Sequence, residues 1–327
     1  MPKPRKSQIS LDATSYYHCV SRCVRRAFLC GEDKYTGQSY EHRRGWVEDR
    51  ILELTHYFAI DICAFSVMSN HCHVVLHVDV DQAKSWTTRE IIEHWHGAFA
   101  GNSLSQRFIA GQLLCEAEIL ALEEKAETWR NNLMSVSWFM RCLNESIARQ
   151  ANAEDHCTGR FWEGRFKCQA LLDEPAVLAC MAYVDLNPVR AGIADTPESS
   201  DHTAVQKRIY AIQNNQPDQP EELMPFVGNH KKEMPKGLAF HLRDYLDLID
   251  WTGRCIRDDK RGSISNELPP ILKRLQIEPE AWLSLTNGFE DLFTSLVGKE
   301  RSVQAACEQQ GKRWSHGINA CRYHFPT

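Results

Sequence analysis

The 327-residue chain contains no apolar run near the ~18 residues that a membrane-spanning helix requires. Its first residues, MPKPRKSQIS, carry cations with no apolar stretch behind them, so a secretory signal is not expected. Thirteen cysteines include no CxxC pair, which argues against a zinc ribbon. An odd count at irregular spacing argues against a disulfide scaffold and for reduced thiols in a cytosol. No GxxxxGK[ST] phosphate loop occurs, and no GxSxG, HExxH or post-strand GxGxxG. A general excess of positive charge is missing as well. The net charge of −5 weighs against a protein that simply coats nucleic acid. Residues 1–50 depart from that average, with ten Lys/Arg against six Asp/Glu, so a basic face on a mildly acidic protein is compatible with the sequence.

What is present is a set of short, well-patterned segments. Residues 15–22 (SYYHCVSR) predict a strand, 23–45 an Arg- and Gly-bearing loop, and 46–58 a helix with Val47, Ile51, Leu54 and Phe58 at helical spacing. Residues 59–68 and 71–80 are β-rich and joined by Ser69-Asn70, the pattern of a hairpin. On the second strand Cys72, Val74, Leu76 and Val78 share one parity, and His71, His73 and His77 share the other. Side chains alternate along a strand, so the apolar set is expected in the core and the histidines on the opposite face. Helices are predicted over 85–100, 113–130 and 132–152, and an extended segment over 157–172. The next helix, 174–186, has Pro175 in its first turn and is ended or bent by Asn187-Pro188. The polar, Pro- and Asn-rich stretch around NNQPDQPEE reads as a linker, and residues 236–327 read as helical.

Three constellations carry chemistry. His71 and His73, two residues apart on one strand face, can both reach one divalent cation, which could polarise a phosphodiester oxygen. Two ordinary histidines on a half-exposed strand are the plain alternative. Tyr183 offers a phenol able to attack phosphorus and leave later, or else is a core tyrosine. Asn187, four residues on, shares its face if the helix persists, which would make its amide oxygen a third ligand. In Arg160-Phe161-Trp162-Glu163-Gly164-Arg165-Phe166-Lys167, cations and aromatics interleave as in proteins that hold single strands. A hairpin with Trp162 in the core is the competing reading. Further cations stand at Lys3, Arg5 and Lys6, at Arg22, Arg25 and Arg26, and at Lys312, Arg313 and Arg322.

Taken together these segments resemble the single-tyrosine HUH transposases. The resemblance is carried by YYHCVSR at 16–22, FSVMSNHCHVVLHV at 65–78, GRFWEGRFK at 159–167 and YVDLNPVRAGI at 183–193. The last two look most like the REP-associated tyrosine transposase branch. The resemblance covers roughly residues 1–195. It implies an α+β fold with a ferredoxin-like antiparallel sheet carrying His71 and His73, and Tyr183 as nucleophile. It implies Mg²⁺ or Mn²⁺ as cofactor, with Asn187 as a supporting ligand or polar contact. It also implies folded or hairpin-flanked single-stranded DNA as partner, and a homodimer. Arg22, Arg25, Arg26, Arg160, Trp162, Arg165 and Lys167 are the expected DNA contacts. Cys72 stands at the hydrophobic position between the histidines and Ser69 where a proline is common. A long insertion spans roughly 81–156.

These readings divide the chain into a catalytic domain over 1–195, a linker over 196–235 and a helical accessory domain over 236–327. The expected activity is cleavage and rejoining of single-stranded DNA through a 5′-phosphotyrosine in the bacterial cytosol, in association with the nucleoid. The rivals are a DNA-binding regulator without catalysis, a rolling-circle initiator or relaxase, and a metal-dependent hydrolase. The last leaves the RFWEGRFK run unexplained.

Overall fold

The computed structural model describes residues 8–24, 29–33, 36–214, 219–228, 235–256 and 269–325. Arg25 and Arg26, and the cations at 3, 5 and 6, lie outside them.

The chain opens with strand β1 (Tyr16–Arg22) and helix α1 (Arg43–Thr55), then the hairpin of β2 (Ile60–Val67) and β3 (His71–Val78). The helices α2 (Val80–Ser85), α3 (Thr88–Ala98), α4 (Ser103–Ile109) and α5 (Glu116–Leu133) follow, and α6 (Val136–Glu154) leads towards β4 (Lys167–Leu171). Next come α7 (Glu174–Asp185), the short α8 (Asn187–Arg190) and α9 (Ala204–Gln213). The chain ends with α10 (Leu242–Ile256), α11 (Pro270–Leu275), α12 (Pro279–Leu292), the two-residue β5 (Leu296–Val297), α13 (Glu300–Gln309) and α14 (Ile318–His324).

One mixed sheet organises these elements, in the order β2-β3-β1-β4-β5. The first four strands pair antiparallel, and β5 joins β4 in parallel. In the central pair Val20 lies opposite His73, and Arg22 opposite His71. The alternation expected along β3 is present, but both of its faces are covered. Cys72, Val74 and Leu76 are fully buried, and so are His73 and Val75 on the other side. The face shared by Ser21 and Cys72 meets α6, where Asn144 Nδ2 donates to Ser21 Oγ at 2.9 Å. The histidine face meets α7.

That position explains the sequence of α7. Asp173 caps it, its Oδ1 accepting from Ala176 N at 3.2 Å, and Pro175 occupies the first turn, where an N–H has no helical acceptor. Every residue from Pro175 to Asp185 is buried, as a helix sandwiched between two layers requires. Its outer layer comes from α12, whose Phe289 ring lies 5.8 Å from that of Tyr183.

Residues 157–166, expected to be extended, form a loop, and only Lys167–Leu171 is a strand. The polar stretch at 196–235 contains α9. Its Arg208 is buried and donates to the carbonyls of Cys63 (2.9 Å) and Met224 (3.2 Å). One hydrophobic core runs continuously from Tyr17 to Phe325, so the described residues of 236–327 pack on the same core as the sheet. The insertion at α2–α5 has a smaller core of its own, with Trp95 and Trp129 stacked at 5.1 Å. None of the thirteen cysteines is joined in a disulfide. Among the described residues no helix is long and apolar enough to cross a membrane.

Candidate active site

On the α7 side of the sheet, β1 contributes His18, β3 contributes His71 and His73, and α7 with α8 contributes Tyr183, Asn187 and Arg190. The His71 and His73 rings are 4.7 Å apart and nearly perpendicular. The Tyr183 ring stands edge-on to His73 at 5.7 Å and to His18 at 6.4 Å. The structure therefore brings the expected nucleophile and the two expected ligand histidines together. His77 belongs elsewhere, bonded through Nδ1 to Asp61 Oδ2 at 2.9 Å.

Both site histidines are held through Nδ1. His71 Nδ1 meets Asn70 Oδ1 at 2.5 Å, and His73 Nδ1 meets His18 Nε2 at 2.9 Å. His73 Nε2 is buried without a partner. Such an orphan atom is rare and calls for an explanation, of which a role in binding or catalysis is one. Burial, reinforced by the cations of Arg22, Arg190 and Lys167 and by His18, lowers the His71 pKa to about 4. Burial and the neighbouring His18 and His71 push His73 well below the ordinary value. Neutral imidazoles with free Nε2 atoms are the form that binds a metal. The pair thus fits a divalent cation as two ligands of a larger set. Among the described residues no group of three or more His, Cys, Asp or Glu side chains gathers as a metal site.

Asn187, expected as a supporting ligand or polar contact, sits at a break in the helix. The α7 helix breaks at Leu186 and the chain restarts as α8, with Pro188 in its first turn. Asn187 stays in the site, but Arg190 Nη2 donates to its Oδ1 at 2.8 Å, and its Nδ2 is left buried without a partner. A flipped amide would set donor against donor, so Asn187 presents an N–H to the site and its oxygen is already engaged. That donor suits a phosphate oxygen better than a cation.

Arg190 was missed by motif reading, although it follows Tyr183 by seven residues, about two helical turns. Its guanidinium lies 4.0 Å above the Tyr183 ring. Burial pushes the Tyr183 phenol up to about 12, and the Arg190 charge works against that shift. His18 and Gln169 were also missed. The signal was a polar residue inside each apolar strand, YYHCVSR and KCQAL, where a buried polar side chain needs a reason.

The expected DNA contacts divide. Residues 161–163 continue the edge of β1, with Val24 N bonded to Phe161 O at 3.0 Å and Glu163 N to Arg22 O at 2.8 Å. That pairing gathers the exposed Arg22, Arg165 and Lys167 around a cleft of about 230 Å³, with Val20 in its wall. A second cleft of about 230 Å³ shares Val20 and Lys167 and reaches His18, Gln169, Glu290 and Phe293. Trp162, expected to stack on bases, is instead in the core, its Nε1 donating to Asn144 O at 2.8 Å. Arg160 braces the same loop through the carbonyls of Trp162 (2.9 Å) and Glu163. The aromatics of this run serve packing, because the loop must anchor its own backbone before it can present cations.

No family model matches the chain, and no curated protein matches it. Among solved structures it is similar to a REP-associated tyrosine transposase bound to a REP hairpin. That similarity has 10% identity and a TM-score of 0.37, and covers 72% of this chain and 97% of that one. So slight a likeness carries no function across, and the side-chain geometry has to stand alone.

Proposed function

We propose that the protein cleaves and rejoins single-stranded DNA through a covalent bond to Tyr183. The carrying observation is the convergence of Tyr183, two neutral histidines with free Nε2 atoms, and an arginine–amide pair beside a cationic cleft. The strand order β2-β3-β1-β4, with α1 and α6 as the connecting helices, supports reading the first four strands as a ferredoxin-like core.

In this reading the strand lies along Arg22, Arg165 and Lys167, which neutralise its phosphates. Asn187 Nδ2–H donates to a non-bridging oxygen of the scissile phosphate. The Tyr183 oxygen attacks phosphorus as its proton passes to water, the 3′-oxygen leaves and takes up a proton to become a 3′-hydroxyl, and the 5′-phosphate remains on the tyrosine. A 3′-hydroxyl then attacks the ester, and the phenol is the leaving group. The energy of the broken ester is retained, so no nucleotide hydrolysis is needed. His71 and His73 would hold Mg²⁺ or Mn²⁺ through Nε2, and the cation when bound would polarise a phosphoryl oxygen.

The test is covalent trapping with labelled hairpin-flanked single strands, with and without Mn²⁺. A denaturation-resistant adduct is expected, and Tyr183→Phe abolishes it while leaving DNA affinity within about twofold. An adduct on the Phe variant would rule out this nucleophile. The burial of Tyr183, only 7% exposed beneath Phe289, favours a second reading as a DNA-binding regulator. Tight binding with no adduct on any such strand would support that one.

A further inference from the structure

The hydrogen bonds behind His73 form a chain with one possible direction. It begins at the backbone carbonyl of Phe293, just past α12, which can only accept. Gln169 Nε2 therefore donates to it, at 2.7 Å. That contact turns Gln169 Oε1 towards His18 Nδ1, 2.7 Å away, so His18 Nδ1 must carry a proton. A neutral His18 then has a lone pair on Nε2. The atom facing it at 2.9 Å is His73 Nδ1, which must be the donor. His73 is left with a lone pair on Nε2, the buried atom that has no partner. A flipped Gln169 amide would place two carbonyl oxygens 2.7 Å apart, so the chain cannot run the other way. His18, His73 and Gln169 are all buried, which keeps water from competing for these bonds. A protonated His18 would be a buried cation whose two ring nitrogens face only a neutral amide and a second imidazole, a costly arrangement.

We infer that Gln169 and His18 are positioning residues that fix the tautomer of His73, so that its Nε2 lone pair faces the position of the scissile phosphate and its cation. The C-terminal region thereby contributes to the site through the Phe293 carbonyl, although it supplies no reacting atom. This inference rests on the reading of His73 as a ligand only for its purpose. The tautomer itself follows from the hydrogen bonds. Ligand histidines are commonly oriented in this way through their second nitrogen, and loss of the orienting partner weakens metal binding about 10–100-fold.

The test has two readouts. In metal-free wild-type protein at neutral pH, long-range ¹H–¹⁵N spectra of ¹⁵N-labelled imidazoles should show His18 and His73 each as a single Nδ1–H tautomer. An Nε2–H form of His73, or an exchanging mixture, overturns the proposal without any variant being made. In the second readout, Mn²⁺ affinity is measured by the loss of the free-ion EPR signal. His18→Leu should weaken it 10–100-fold and give His73 mixed tautomers. His18→Gln, whose side-chain oxygen can accept from His73 Nδ1–H, should recover most of the loss. Unchanged Mn²⁺ affinity in His18→Leu overturns the positioning role. A wild-type protein that binds no Mn²⁺ and forms no adduct defeats the active-site reading, and the wild-type tautomer still decides the direction of the chain.

Discussion

Arg190 joins more of the site than any other side chain. Nη1 donates to the carbonyls of Thr286 (2.7 Å) and Tyr183 (3.2 Å), Nη2 to Asn187 Oδ1, and the guanidinium plane covers the Tyr183 ring. The fork of an arginine can do all of this at once, whereas a lysine supplies its charge and donors from a single point, without a plane to cover the ring. Arg190→Ala should lower the rate of adduct formation at least ~10-fold, the usual scale for losing one orienting contact near the chemistry. The pH profile separates charge from scaffolding. The cation opposes the burial that raises the Tyr183 pKa, so its removal raises that pKa further and moves the alkaline limb of the rate profile to higher pH. Arg190→Lys should return the limb toward its original position yet recover only part of the rate. Single-turnover adduct formation between pH 8 and 12, which spans the rise toward the Tyr183 pKa, measures both, and an unmoved limb in Arg190→Ala would remove the electrostatic role. At this scale the sequence was partly legible. Tyr183, His71 and His73 stood out because each sits in a short motif. Arg190, His18 and Gln169 did not, because their meaning lies in partners from other elements. Gln169 and the carbonyl it bonds are 124 residues apart.

Among the elements, the hairpin and α7 were readable because their signals are local: alternation of side chains, a capping Asp173, Pro175 in the first turn. The cover over the histidine face was not. It is made by α7 and α12, far along the chain, and parity alone cannot say whether a strand's second face meets solvent or another layer. The lower end of α7 shows the consequence. Asp185 is fully buried, accepting from Tyr245 OH at 2.6 Å and Val205 N at 3.3 Å, and so ties α7 to α10 and α9. Burial raises its pKa to about 6, against the pull of Arg208 and these hydrogen bonds. An unfolded aspartate titrates near ~3.9. Between about pH 4 and 6 the folded protein therefore holds the extra proton, and stability falls as pH rises through that window, then levels off above it. Asp185→Asn can keep its oxygen as acceptor for Val205 N while its Nδ2 donates to the Tyr245 hydroxyl oxygen, and it abolishes this titration. Relative to wild type, the variant should gain about 2 kcal/mol of stability between pH 4 and 6.5, at ~1.4 kcal/mol per pKa unit. Urea unfolding at several pH values reads the difference, and parallel curves for the two proteins would show that Asp185 is ionised throughout.

For the whole molecule the informative quantity is the contrast between net charge and local charge. At −5 overall, the protein has no long-range field to draw DNA towards it. Attraction has to come from cations within about one Debye length of the strand, ~8 Å at physiological salt. Arg22, Arg165 and Lys167 are such a group. They reach one cleft, which Glu163 also lines, only because β1, β4 and the loop between α6 and β4 meet there, while α5 carries five acidic residues of its own. The sequence showed the excess of cations in residues 1–50 and the interleaved run at 160–167, but not that folding joins parts of both. Each phosphate contacted on a single strand contributes a slope of about −0.7 to log K against log salt. Replacing all three cations by alanine should flatten that slope by about 2 and weaken binding similarly for strands of different sequence, since phosphate contacts carry no base information. Fluorescence anisotropy with two unrelated strands, from 50 to 300 mM salt, measures the slope directly. A slope unchanged by the triple substitution would mean that the strand runs elsewhere. A flattened slope with equal losses on both strands would place the backbone in this cleft and assign sequence choice to other contacts, with the second cleft beside His18 and Glu290 the next to be probed.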